Sequence, residues 1–140
     1  MPELIVTRGL PGSGKSYWAK AWVQEDVTSR ARVERDALRL MMHDGVWDGR
    51  KTEDQIVLAQ LAMVSSLLTG GVSVVVSDTN LHPGVFNQLK ALAGKLGMDF
   101  KVQDFTDVPL EVCLERNAAR TGKARVPDEA IYNMYERYIA

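Results

Sequence analysis

The stretch Gly9-Leu10-Pro11-Gly12-Ser13-Gly14-Lys15-Ser16 leaves this chain few folds to choose from. It follows Leu4-Ile5-Val6-Thr7-Arg8, which reads as a strand, and runs into a helical pattern from about Lys15 to Gln24. The spacing is that of a phosphate-binding P-loop, GxxxxGK[ST], in its required setting between strand and helix. Gly12 and Gly14, with Ser13 between them, let successive backbone N–H groups turn inward around phosphate oxygens, and the helix start adds its positive dipole end. Lys15 is placed to neutralise β- and γ-phosphates, and the Ser16 hydroxyl to ligate a Mg²⁺ that bridges phosphate oxygens. A chance Gly-rich turn is the bland alternative, and the register of Gly, Gly, Lys and Ser with both flanks makes it a poor one. A P-loop does not by itself separate kinases from hydrolases or nucleotide switches, so the rest of the chain has to decide.

The remainder alternates strand and helix signals. Ala31-Arg32-Val33-Glu34 predicts a short second strand ending at Arg35-Asp36, followed by a helix through Ala37 to Met42. From Thr52, with Glu53 and Asp54 in the first turn, the spacing of Ile56, Val57, Ala59, Gln60, Met63 and Leu67 predicts a helix that stops at Gly70-Gly71. Val72-Ser73-Val74-Val75-Val76 is β-branched and almost continuously apolar, the pattern of a central parallel strand covered on both faces. It delivers Ser77-Asp78-Thr79-Asn80 at its C-terminal end. Pro83 opens a helix that runs to Gly97, a strand follows from about Asp99 to Phe105, and Pro109 and Pro127 open two further helices. Such alternation argues for a parallel α/β sheet. With 140 residues, 46% of them apolar and 25% charged, the expectation is one P-loop domain over residues 1–140 with a real core.

Charge and cysteine content exclude several classes. Lys and Arg number 17 against 18 Asp and Glu, a net charge of −1, so the chain is not a basic coat for nucleic acid and any anion site must be local. Cys113 is the single cysteine, which rules out an intramolecular disulfide, and no Cys/His cluster has zinc spacing. A reducing cytoplasm is the expected setting. The N-terminal residues lack the pattern of a signal peptide, and the apolar runs are too short to cross a bilayer.

If the chemistry is phosphoryl transfer to an alcohol, a carboxylate must accept the hydroxyl proton and orient the oxygen toward the γ-phosphate. Asp36, at the expected C-terminal edge of the second strand, is the candidate base, and Arg39, three residues on, could hold a phosphate on the acceptor. The competing reading is a helix-capping Asp paired locally with Arg39. Asp78, Thr79 and Asn80 should emerge at the same edge, Asp78 as a candidate water-mediated Mg²⁺ ligand, against the alternative of an Asx turn ending the strand. Residues 116–125 carry Arg116, Arg120, Lys123 and Arg125 without an acid, and Arg116 and Arg120 would share a helical face. A lid there would neutralise β- and γ-phosphate charge and exclude water, whereas the plain alternative is a solvated basic surface. Trp18 and Trp22, also four apart, read more as core than as a base-stacking platform. His43 and His82 have no partner spacing and receive no role.

Taken together, GLPGSGKS, RDALR, SDTN with a nearby Pro, and RNAAR with a downstream VP resemble the phage-type polynucleotide 5′-hydroxyl kinases, in the family's order across nearly the whole chain. The resemblance implies a four-stranded parallel sheet of order 2-3-1-4 with an arginine-bearing lid, transferring the ATP γ-phosphate to the 5′-OH end of DNA or RNA. It implies Asp36 as general base, Arg39 on the substrate phosphate, Arg120 clamping the ATP phosphates, and Arg116 nearer the nucleotide base. It sets Asp78, Thr79 and Asn80 beside the acceptor and metal, and makes Gly12, Ser13, Gly14, Lys15 and Ser16 the ATP-phosphate cradle. Lys15, Asp36 and Arg120 would carry the chemistry, and nucleic-acid end repair the biology. The DxDxT motif of an added phosphatase domain is absent, and Tyr17 stands where a second hydroxyl-bearing Thr is frequent. Two rivals stay open: a kinase of a small-molecule alcohol, for which Arg39 would have no partner, and a noncatalytic ATP-dependent switch.

Overall fold

The computed structural model describes residues 2–140; the side chain of Lys123, one of the expected basic lid residues, lies outside the described residues. Four strands, β1 (Glu3–Arg8), β2 (Arg30–Val33), β3 (Ser73–Val76) and β4 (Asp99–Asp104), form one sheet in the order β2-β3-β1-β4. All three pairings are parallel, and the ends of three strands are in register: Val6 and Val33 both lie opposite Val76. The segments leaving β1, β2 and β3 therefore emerge at one edge, the position where open α/β sheets bind ligands.

Strand alternation sorts the core into two layers. Leu4, Val6, Val74 and Val76 face one side with Ile56, Val64 and Leu68 of α3 (Gly49–Thr69) and Leu89 and Ala93 of α4 (Pro83–Leu96). Ile5 and Val75 face the other side, against Ala19 and Trp22 of α1 (Lys15–Gln24). A third cluster, Leu10, Leu81, Cys113 and Ile131, seats α5 (Leu110–Ala118) and α6 (Asp128–Tyr138) beside the P-loop. Among the described residues no helix is long and apolar enough to cross a membrane.

The expected elements are present, with three corrections. The second strand ends at Val33, and α2 (Arg35–His43) starts two residues earlier than its sequence suggests. The cause is remote: the Arg35 backbone N–H donates to Asp78 Oδ1 at 2.9 Å, satisfying a helix-start donor that no local residue serves. Second, α3 begins at Gly49, so Glu53 and Asp54 lie beyond its first turn; Thr52 Oγ1 accepts from the Asp48 N–H and donates to the Gly49 carbonyl. Third, α5 stops at Ala118, so Arg116 and Arg120 do not share a helical face. Between α5 and α6 runs a loop with a 3₁₀ turn at Gly122–Ala124.

Candidate active site

The P-loop leaves β1 and wraps into the start of α1. Gly12 and Gly14 have φ of 83° and 102°, a left-handed backbone that side chains disfavour, and a Cβ at Gly12 would meet the Cys113 carbonyl oxygen at 2.5 Å. Lys15 is 7% exposed. Its Nζ donates to the Leu10 carbonyl at 2.6 Å and contacts Ser13 Oγ at 3.4 Å, so the ammonium is folded onto its own loop. Burial, then the Arg120 charge, push its pKa down to about 8. Cys113, Asp78 and Asp36 act on it in the opposite sense, so Arg120, Asp78 and Asp36 all lie within electrostatic reach of Lys15.

Asp78 leaves β3 8% exposed and is held on both oxygens. Oδ1 accepts from the Arg35 backbone, and Oδ2 accepts from Gln60 Nε2 at 2.9 Å and faces Arg35 Nη1 at 3.4 Å. Arg35 Nη1 also donates to Gln60 Oε1 at 2.7 Å, closing a buried ring of three side chains. That ring fixes where α2 starts, and so where Asp36 sits. Asn80, at φ 49°, donates its amide to the Thr7 and Val76 carbonyls and accepts from Arg35 Nη2. Its amide is thus engaged with backbone carbonyls and Arg35 inside the protein. Thr79 accepts the Gly9 N–H through its carbonyl and ties the β3 exit to the P-loop.

Asp36 lies in the first turn of α2, not at its cap, which is Glu34. Its side chain is 80% exposed and bonds to Arg39 Nη1. Arg39 in turn makes a two-pronged pair with Glu53, Nε to Oε2 at 2.8 Å and Nη2 to Oε1 at 2.7 Å. The Glu53 bonds are the main reason its guanidinium pKa is raised. Arg32 was no candidate from the sequence, yet it reaches Ser77 Oγ at 2.8 Å and Ser16 Oγ at 3.5 Å and pairs with Glu34.

On the donor side Arg116 Nη1 donates to the Gly12 carbonyl at 3.3 Å. With Gly14, Tyr17, Trp18, Ala21 and Phe105 it lines a cavity of about 530 Å³. The two tryptophans divide the roles considered for them: Trp22 is core, while Trp18 stacks on it at 6.4 Å and turns an edge to Phe105 at the cavity. Arg120 reaches the Ala124 carbonyl at 3.4 Å across the loop. Asn117, fully buried, closes that loop by donating to the Val126 carbonyl at 2.6 Å and accepting the Val126 N–H at 2.9 Å. His82 has a local task, accepting the Gly84 N–H at the start of α4.

Among the described residues no three His, Cys, Asp or Glu side chains are grouped to hold a metal. Mg²⁺ keeps several waters and takes substrate phosphate oxygens, so the single Ser16 hydroxyl at the loop end suits it.

An AAA domain family model matches residues 4–139. A protein of Autographa californica nuclear polyhedrosis virus named as a bifunctional polynucleotide kinase/RNA ligase is 30% identical over 98% of this chain and 21% of its own length. The L-seryl-tRNA(Sec) kinase of Methanococcus maripaludis is 30% identical over 96% of this chain and 52% of its own. The chain therefore spans about a fifth and about half of these relatives. Among solved structures, a chain of the Pnkp1/Rnl/Hen1 RNA repair complex superposes with a TM-score of 0.83 at 28% identity, covering 96% of this chain and 43% of that one. The Mycobacterium tuberculosis APS kinase, at 21% identity and TM-score 0.68 over 84% of this chain and 69% of its own, shares the fold. The chain belongs to the AAA domain family, as a nucleotide-binding P-loop domain built on the four-stranded parallel sheet of P-loop kinases.

Proposed function

We propose that this chain is a polynucleotide kinase that transfers the γ-phosphate of ATP to the 5′-hydroxyl end of DNA or RNA. The observation that carries this reading is the pairing of Asp36 and Arg39 on α2, at the sheet edge shared with the P-loop. A base alone would serve any alcohol; an adjacent arginine suits an acceptor that already bears a phosphate. Similarity to the viral polynucleotide kinase/RNA ligase and to the RNA repair complex supports the same assignment.

In this account the P-loop amides and Lys15 hold the β- and γ-phosphates, Arg120 clamps them from the segment after α5, and Arg116 stands nearer the nucleotide base. The Trp18–Phe105 cavity receives the donor base. Ser16 would hold Mg²⁺, with Asp78 as a water-mediated second contact, and the ion would draw charge from the phosphate oxygens. Asp36 takes the proton of the attacking hydroxyl, and Arg39 holds the phosphate on the 3′ side of the terminal nucleotide. A net charge of −1 suits recognition of the last one or two nucleotides over a long basic track. The setting would be the cytoplasm, and the role end repair, as in phage-type kinases.

The second reading, a kinase of a small alcohol or an aminoacylated RNA, is favoured by the match to L-seryl-tRNA(Sec) kinase. An acceptor panel separates the two. Oligonucleotides with 5′-OH ends, nucleosides, sugars and seryl-tRNA are offered with γ-labelled ATP. Transfer confined to 5′-OH oligonucleotides supports the proposal; transfer confined to a nucleoside, a sugar or the seryl group replaces it. Tight ATP binding with no transfer at all would leave a nucleotide switch.

A further inference from the structure

Arg39, the proposed acceptor-phosphate arginine, is not waiting with open donors. Glu53, from α3, covers its Nε and Nη2 edge with both carboxylate oxygens at 2.8 and 2.7 Å, and Asp36 takes Nη1. A guanidinium has five N–H donors in one plane, and a two-pronged anion takes one edge of it. With Glu53 on the side edge, the end edge between Nη1 and Nη2 is the one left for a phosphate, and there Asp36 already bonds Nη1. The two carboxylates are held unequally. Glu53 makes two bonds and is 27% exposed, whereas Asp36 makes one and is 80% exposed, so Asp36 is the one an incoming anion displaces.

We propose that Glu53 is a positioning residue that fixes Arg39, and that the acceptor's phosphate displaces Asp36 from Arg39 Nη1, so that seating the phosphate also releases the base. Asp36 then accepts the proton of the 5′-hydroxyl as its oxygen bonds to the γ-phosphorus and the bond to ADP breaks. An acceptor without that phosphate leaves Asp36 tied to Arg39, which lowers both its affinity and its rate of reaction. Glu53 takes no part in the chemistry and acts only through the orientation of Arg39.

This inference rests on the polynucleotide kinase reading, and the test keeps the two apart. The probes are cytidine 3′-monophosphate and cytidine. Calorimetric titration of Asp36→Asn should show the nucleotide bound roughly twofold to fivefold tighter than by wild type, the range expected for loss of an exposed competing pair, with cytidine unchanged. In steady state, Glu53→Gln should raise KM for the nucleotide roughly tenfold, as expected for a lost two-pronged pair, with kcat, KM for ATP and KM for cytidine little changed. Unchanged or weaker nucleotide binding by Asp36→Asn overturns the displacement, and so does its failure to bind the nucleotide at all. A Glu53→Gln enzyme with wild-type KM, or with KM for ATP raised equally, overturns the positioning role. Should Glu53→Gln fail to fold, the Asp36→Asn titration decides alone. Wild-type enzyme that phosphorylates neither probe nor any 5′-OH oligonucleotide refutes the proposed function instead, and the titration still reads the clamp.

Discussion

Lys15 offers the sharpest physical test of the nucleotide site, because burial makes its charge costly while binding phosphate oxygens needs that charge. Burial and Arg120 lower its pKa from 10.5 to about 8, a shift that makes the ammonium roughly 3 kcal/mol less favourable here than in an unfolded chain. Phosphate oxygens reverse the balance, so binding should draw a proton onto Lys15. With a pKa of about 8, Lys15 is about nine-tenths charged near pH 7 and about one-tenth near pH 9, so the affinity for ADP should fall about tenfold between them. Near pH 8 binding should take up about half a proton, measured calorimetrically in buffers of different ionisation heat. Lys15→Arg, charged throughout, should flatten the profile. The same shift sets the sign for stability: between about pH 8 and 10.5 the unfolded chain holds more protons at this site, so the Lys15 contribution to stability rises with pH across that window. Lys15→Met should therefore be more stable than wild type near pH 7, by up to about 3 kcal/mol, while losing turnover. ADP affinity that stays level from pH 7 to 9 with no proton uptake would refute this reasoning.

Other perturbations probe the remaining parts. Gln60→Leu removes one hydrogen bond each from Asp78 Oδ2 and Arg35 Nη1 and leaves them only their 3.4 Å contact with each other on that side, which should cost about 1–3 kcal/mol and lower the thermal midpoint; an unchanged midpoint would deny the ring its role. Trp18→Ala should raise KM for ATP roughly tenfold through lost stacking, with the acceptor KM steady, in a two-substrate kinetic analysis. Asn117→Ala releases the Val126 backbone at the base of the 117–126 loop; kcat should fall more than ADP affinity, and equal losses would argue against a lid.

The features legible in the sequence are those that depend on neighbours along the chain. The P-loop is a local device, and the nearly continuous apolar runs of β1 and β3 reflect burial on both faces, so both elements could be read directly; the strand order was implied by the family resemblance, and the sheet agrees with it. The start of α2 could not be read, because its helix-start donor is satisfied by Asp78, 43 residues away. Glu53 reads as an ordinary solvated helix residue until α2 and α3 are brought side by side. Gln60 did leave a trace: Ile56, Gln60, Val64 and Leu68 lie four apart on one buried stripe, and an amide in the middle of it needs a polar partner. The spacing of Arg116 and Arg120 is helical and suggests one face, but α5 ends between them.

Incubation with γ-labelled ATP, Mg²⁺ and matched 5′-hydroxyl or 5′-phosphate oligonucleotides, with Asp36→Ala in parallel, tests the central claim most directly. Label should enter only the 5′-hydroxyl strands, and only with the wild-type chain. Label that enters neither strand, or that enters equally well with Asp36→Ala, would contradict the account.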